Sequence, residues 1–170
     1  YGVFNLLELN DIKKMSKIFE HMGVNLGKKE FTGGITTKPV YSVRESANST
    51  KIARRNRLDM MLRNDKHVAI IDFKFYDKMR VDNDSENIRE VLDYATSFFE
   101  QDKHKDKYDT IKCVLLYAYR GDAKKAFNYK ETKVINGKTY IIYKRAIDLS
   151  LSFEEIKRQM LDIYAEALSN

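Results

Sequence analysis

Cysteine and proline are almost missing from this chain, and each shortage excludes something. One cysteine in 170 residues leaves no disulfide framework and no thiolate zinc cluster. Pro39 is the single proline, and no proline-, glycine- or serine-rich linker divides the chain. One domain over residues 1–170 is therefore expected. Repeats and low-complexity tracts do not stand out. No apolar run approaches the ~20 residues that cross a bilayer, so no membrane partner is expected. No charged-then-apolar leader with a small-residue cleavage site opens the chain, and a cytoplasmic location is expected. The first residue is Tyr1 rather than Met, as in a domain excised from a longer protein. A hydrophobic content of 43% is too high for intrinsic disorder.

Charge is the first positive feature. Lys and Arg number 31 against 25 Asp and Glu, a formal balance of +6, with a pI near 9.2. Such a balance favours anionic partners, nucleic acid among them. A basic protein without such a partner fits the same numbers.

Periodicity gives the order of elements. Phe4, Leu7, Ile12, Met15, Phe19 and Met22 recur at helical spacing, which predicts a first helix ended by Gly23. Val40 to Val43 reads as a short strand, and Arg44 to Arg57 as a polar, basic stretch. Leu58 to Leu62 and Val68 to Phe75 read as strands joined by an Asn64-Asp65-Lys66 turn. Val68-Ala69-Ile70-Ile71 is apolar on both faces, as a central strand is. A helix from about Ser85 carries Ile88, Val91, Leu92, Ala95 and Phe99 on one face. Ile111 to Tyr117 is a further buried strand. Asn136-Gly137 marks a hairpin, with Tyr140 to Tyr143 on the return strand. Ser152 and Glu155 fit a capping box, followed by a stripe of Phe153, Ile156, Met160 and Ile163. The expected class is mixed α/β (α+β), built on one sheet.

The chemistry-bearing residues interrupt two of these strands. Asp59, Asp72 and Lys74 stand among apolar neighbours, and a buried charge needs a partner or a task. Asp72 and Lys74 are two apart and share a strand face. Asp59 opens the preceding strand and can sit beside Asp72. Two adjacent carboxylates repel, and an oxygen-seeking divalent cation such as Mg²⁺ relieves the repulsion. A lysine beside it can orient a water and stabilise charge on a phosphate. A buried Asp–Lys ion pair with Asp59 as a turn residue fits the same spacing.

Asp59 followed by Asp72-Phe73-Lys74 on a central strand resembles the PD-(D/E)XK nuclease superfamily. Leu58 stands where that family often has proline. Glu90 and Tyr94 on the next helix are similar to the Gln-x-x-x-Tyr element of RecB-type members, with Glu in place of Gln. The stretch from Ile71 to Glu90 looks like the McrC and LlaJI-type restriction nucleases, where an Asp-x-Lys strand precedes a helix opening on Asp-Ile; here it reads Asn87-Ile88. The opening Tyr1-x-x-Phe4 is reminiscent of that group's first helix, with Gly2 where an acid is expected. The likeness spans roughly Tyr1 to Tyr117.

The resemblance implies a restriction-endonuclease-like core with a mixed central sheet flanked by helices. It implies an Mg²⁺-dependent deoxyribonuclease, with Mn²⁺ as an alternative, acting as a restriction or defence endonuclease domain. Asp59, Asp72 and the Phe73 carbonyl would hold the metal, and Lys74 would position the attacking water. Glu8 lies between Phe4 and Ile12 on the apolar stripe and would supply the missing acid, Glu20 being the weaker choice. Glu90 would complete the acidic cluster. Lys51, Arg54, Arg55 and Arg57 lead directly into Asp59 and suit backbone phosphates, with Tyr94 beside them; a solvated loop is the plainer reading of that stretch. Expected partners are DNA and a motor or recognition subunit, with a homodimer left open. A non-catalytic nucleic-acid-binding or assembly module on the same fold is the alternative. His21, His67 and His104 have no ligand spacing, so zinc is not expected.

Overall fold

A computed structural model describes residues 12–31, 34–37, 40–44, 52–75, 84–119 and 129–170. Helix α1 spans Ile12–Glu30, α2 Asp84–Gln101 and α3 Phe153–Ala167. Eight strands are β1 (Gly34–Thr37), β2 (Val40–Arg44), β3 (Ile52–Arg57), β4 (Met60–Arg63), β5 (Val68–Phe75), β6 (Thr110–Tyr119), β7 (Lys130–Ile135) and β8 (Lys138–Asp148). Six of them form one sheet in the order β1-β4-β5-β6-β8-β7, and β2 with β3 forms a separate antiparallel ribbon. Strand β5 pairs antiparallel with β4 and parallel with β6, and β6 pairs parallel with β8. The sheet is thus mixed and flanked by helices, as expected.

Alternation along β5 builds a core on each face. Ala69, Ile71 and Phe73 join the side covered by α1 and α3. Val68 and Ile70 join the side covered by α2. Since side chains alternate, Asp72 and Lys74 follow Ile70 onto the α2 side. The Asn64 side chain closes the β4–β5 turn, accepting from the Lys66 and His67 amides at 2.9 and 2.7 Å. Asn136 and Gly137 take positive φ, 51° and 77°, as the primed hairpin turn requires. The Ser152–Glu155 capping box forms at the start of α3.

Two expectations are corrected, and the solvated-loop alternative for the basic stretch is set aside. Helix α1 does not stop at Gly23 but runs on to Glu30; what precedes Ile12 lies outside the described residues. A Cβ on Gly23 would run into the ring edge of Phe73, so the glycine permits close packing of α1 on β5 rather than breaking the helix. The carbonyl of Gly23 also accepts from the Tyr164 hydroxyl of α3 at 2.8 Å. Phe153 is exposed because it occupies the first position of α3, before the buried face begins at Ile156. The stretch from Ile52 to Arg57 is strand, not loop: it pairs with β2 through Val43↔Arg54 and Ser42↔Arg55, and the ribbon packs on α2.

Candidate active site

The bend before β4, the second half of β5 and the first half of α2 meet at one place. Leu58 is fully buried and anchors the bend that presents Asp59. Asp59 Oδ2 accepts from the Phe73 amide at 2.9 Å, which ties the bend to β5. Asp72 is 4% exposed, and its carboxyl group lies within hydrogen-bonding reach of that of Asp59. Lys74 Nζ is 2.9 Å from Asp72 Oδ2 and 2.9 Å from Glu90 Oε2. The Tyr94 hydroxyl donates to Glu90 Oε1 at 2.6 Å; the two residues are one helical turn apart and share a face. Next to them Asn87 Nδ2 donates to the Tyr117 hydroxyl at 3.2 Å.

The protonation states follow from burial and charge. Burial raises Asp59 to about 8, helped by the charge of Asp72 and the hydrogen bond between them, with Glu20 adding and the Phe73 amide opposing. Asp72 is raised too, by burial first, against the pull of Lys74. At neutral pH and without a cation, the pair therefore keeps a proton, as two close carboxyl groups do. Burial by itself would lower Lys74, but Asp72 and Glu90 outweigh it and hold the lysine firmly as a cation. Burial by itself would raise Glu90, but hydrogen bonds from Tyr94 and Lys74 bring it below its ordinary value. Burial and then Glu90 push the Tyr94 phenol up.

Asp72 Oδ2 is enclosed, and the partner it has is the Lys74 ammonium at 2.9 Å. Oxygen donors of this kind fit Mg²⁺ or Mn²⁺. Among the described residues no group of three or more His, Cys, Asp and Glu side chains gathers as a metal cluster.

Asp59, Asp72, Lys74 and Glu90 are thus brought together. Glu90 lies on Lys74 and Tyr94 rather than beside Asp59, so it orients the lysine. Tyr94 has its hydroxyl on Glu90. Glu8 and Lys51 lie outside the described residues. The backbones of Arg54, Arg55 and Arg57 are on β3; their side chains are outside the described set. The charge of Glu20, the weaker first-helix candidate, acts on Asp59. The Glu90–Tyr94 contact was legible only as an i,i+4 pair.

No family model matches the chain, and no curated protein matches it. Among solved structures, the chain superposes on one from a refined half-complex of the tetradecameric assembly of Thermococcus gammatolerans McrB AAA+ hexamers with bound McrC. The TM-score is 0.53 at 13% identity, over 88% of this chain and 33% of that one. The likeness is one of fold. This chain spans about a third of the length of its counterpart. A protein of unknown function aligns at TM-score 0.32 and 15% identity over 63% of this chain and 52% of that one, too loosely to bear on the site. No helix among the described residues is long and apolar enough to cross a membrane.

Proposed function

We propose that this chain is an Mg²⁺-dependent nuclease domain that hydrolyses phosphodiester bonds in DNA, serving a restriction or defence system with a motor subunit. The observation that carries the reading is the close Asp59–Asp72 pair with Lys74 2.9 Å from Asp72 Oδ2. The fold shared with a chain of an assembly of AAA+ hexamers supports the motor partner.

Asp59, Asp72 and the Phe73 carbonyl would hold the cation, with Mn²⁺ as a substitute and a carboxylate of the first helix, Glu8 or Glu20, as the added acid. When bound, the cation polarises a phosphoryl oxygen and lowers the pKa of a water. Asp72 and Asp59 would hold it without the proton they otherwise keep. Lys74 remains protonated, so it donates to the attacking water or to a phosphate oxygen and does not act as a base. Glu90 and Tyr94 hold that ammonium group in place from α2. The β2–β3 ribbon, whose Arg54, Arg55 and Arg57 lead into Asp59, would lie along the DNA backbone.

The test is cleavage of supercoiled plasmid and of single-stranded DNA in Mg²⁺ or Mn²⁺. Cleavage is expected from the natural chain and not from Asp72→Ala or Lys74→Ala. Full cleavage by either variant ends this reading. One observation favours a second reading, a non-catalytic nucleic-acid-binding or assembly module: no group of three or more His, Cys, Asp and Glu side chains among the described residues gathers as a metal cluster. That module binds DNA in a salt-dependent manner in EDTA and cuts with no metal.

A further inference from the structure

The six-stranded sheet ends on β7, the outermost strand in its order. Across the two-residue Asn136–Gly137 turn, Ile135 and Lys138 form a hydrogen-bonded pair, and the ladder alternates from there. At the other end Lys144 donates its amide to the Tyr129 carbonyl at 3.2 Å, in step with that alternation. The odd-numbered residues of β7 therefore turn their backbone groups to β8. Those of Lys130, Thr132 and Val134 point the other way, off the edge of the sheet. Among the described residues no backbone group outside the ladder bonds to these three.

Native sheet edges are kept apart by prolines, bulges or unopposed lysines. Strand β7 holds no proline and pairs with β8 from end to end without a register shift. Its lysines do not stand alone, since Glu131 lies between Lys130 and Lys133. Glu131 and Lys133 sit on the α2 face, in register with Ile142 and Tyr140, and their charged ends are 3.3 Å apart. Glu131 also accepts from the Tyr129 hydroxyl. Lys130, Thr132 and Val134 take the opposite face and are exposed. Val134, at 69%, is the most exposed large apolar side chain among the described residues.

A second copy of this strand fits the edge in one antiparallel register. The outward groups meet only where even-numbered residues face even-numbered ones. Centring the pair on Glu131 sets that acid against itself, and centring it on Lys133 does the same to the lysine; like charges directly opposite repel. Centres nearer either end leave much of the edge unpaired. Centring on Thr132 sets Glu131 against the partner's Lys133, and Lys133 against the partner's Glu131. Both pairs occupy non-hydrogen-bonded positions, where side chains approach most closely. The same register lays the apolar stem of Lys130 over the partner's Val134. We infer that β7 pairs antiparallel with β7 of a second copy about a two-fold axis at Thr132, so that two sheets continue into one. The self-complementary charges select a copy of this chain over a foreign strand. One strand edge is a small interface, so the association is reversible. It does not depend on the nuclease reading.

Sedimentation velocity tests it, with the chain loaded from about 5 µM to about 1 mM in low-salt buffer. The mass is expected to rise from one chain to two. Glu131→Lys and Lys133→Glu should each weaken self-association about tenfold, because each sets like charges opposite one another at two places. An equal mixture of these two variants should recover a one-to-one pair at the natural affinity, since each variant opposes the other's charges. Thr132→Pro removes an amide that β8 does not use and should leave a folded monomer, as judged by circular dichroism; if it does not fold, the mixture decides alone. A chain that stays single over the whole range overturns the pairing and leaves the edge to a strand of another protein. Association untouched by the single variants, a mixture that pairs no better than either variant, or growth beyond two chains overturns it as well. The measurement reads mass, so its failure and that of the nuclease reading are separable.

Discussion

The Phe73 amide donates to Asp59 Oδ2 across 2.9 Å, so the residue between Asp72 and Lys74 sets the position of the acid from the neighbouring turn. One strand therefore carries two of the site's side chains and orients the third with its backbone. The buried pair this creates is unfavourable by itself, which is where its chemistry becomes testable.

Asp72→Asn separates stability from activity. It keeps the shape and lifts the repulsion with Asp59, but it also removes the charge that Lys74 meets at 2.9 Å, and the two effects oppose each other. The metal-free variant should still unfold cooperatively, within a few degrees of the natural chain. Metal-dependent cleavage should fall by about three orders of magnitude or more, in line with losing a directly acting group. Thermal melts beside a plasmid-nicking assay read both quantities.

Stability should depend on pH in a direction the Asp59 shift determines. Folding raises this group from its ordinary value of 3.8 to about 8, so the folded chain holds a proton the unfolded one has released. By linkage, stability falls where the folded state binds more protons. The loss opens above pH 4 and is complete once the pH passes about 8. Metal-free melting temperature should thus decline from pH 5 to pH 9, and millimolar Mg²⁺ or Mn²⁺ should reverse the decline. A melting temperature that rises across this interval without metal contradicts the assignment.

Glu90→Gln and Tyr94→Phe test the support of Lys74. Neither removes a group that meets the phosphate, so losses of roughly 10–100-fold in rate are expected, as for outer-shell partners. Glu90→Gln also removes one of the two charges holding the Lys74 ammonium, so the alkaline limb of the pH–rate profile should move to lower pH. Rates at several pH values separate this from a merely structural defect, which leaves the profile in place.

Gly23→Ala tests the packing of α1 on β5. The added methyl meets the Phe73 ring and the Tyr164 hydroxyl, an overpacking that costs about 1–3 kcal/mol. For a chain of this size each kcal/mol is about 2–4 °C of melting temperature. The gain in helix propensity of ~1 kcal/mol is too small to cancel the larger part of that range. A variant that melts higher than the natural chain would contradict the close approach.

These residues also show what was readable beforehand. Strand β5 appears at its expected bounds, Val68–Phe75, because an apolar run ended by a tight turn has few other solutions. The Asn136–Gly137 turn and the Ser152 cap were readable because their chemistry is local. Gly23 was misread because glycine serves both as a helix stop and as a place of close contact, and only the neighbour across the gap decides between them. Asp72 and Lys74 could be placed together from a period of two. That Glu90 engages Lys74 rather than Asp59 could not, since it depends on how α2 crosses the sheet. Basic residues before Asp59 gave no strand signal because β2–β3 pairing is a partnership between segments, not a pattern within either.

The Tyr164–Gly23 hydrogen bond gives the far end of the chain a say in the acids' spacing. Tyr164 braces the helix that seats Phe73, and Phe73 braces Asp59. A truncation that strips away α3 would therefore loosen the bend that carries Asp59 from behind, and such a fragment is expected to lose the proposed cleavage while every acidic side chain is still in its sequence.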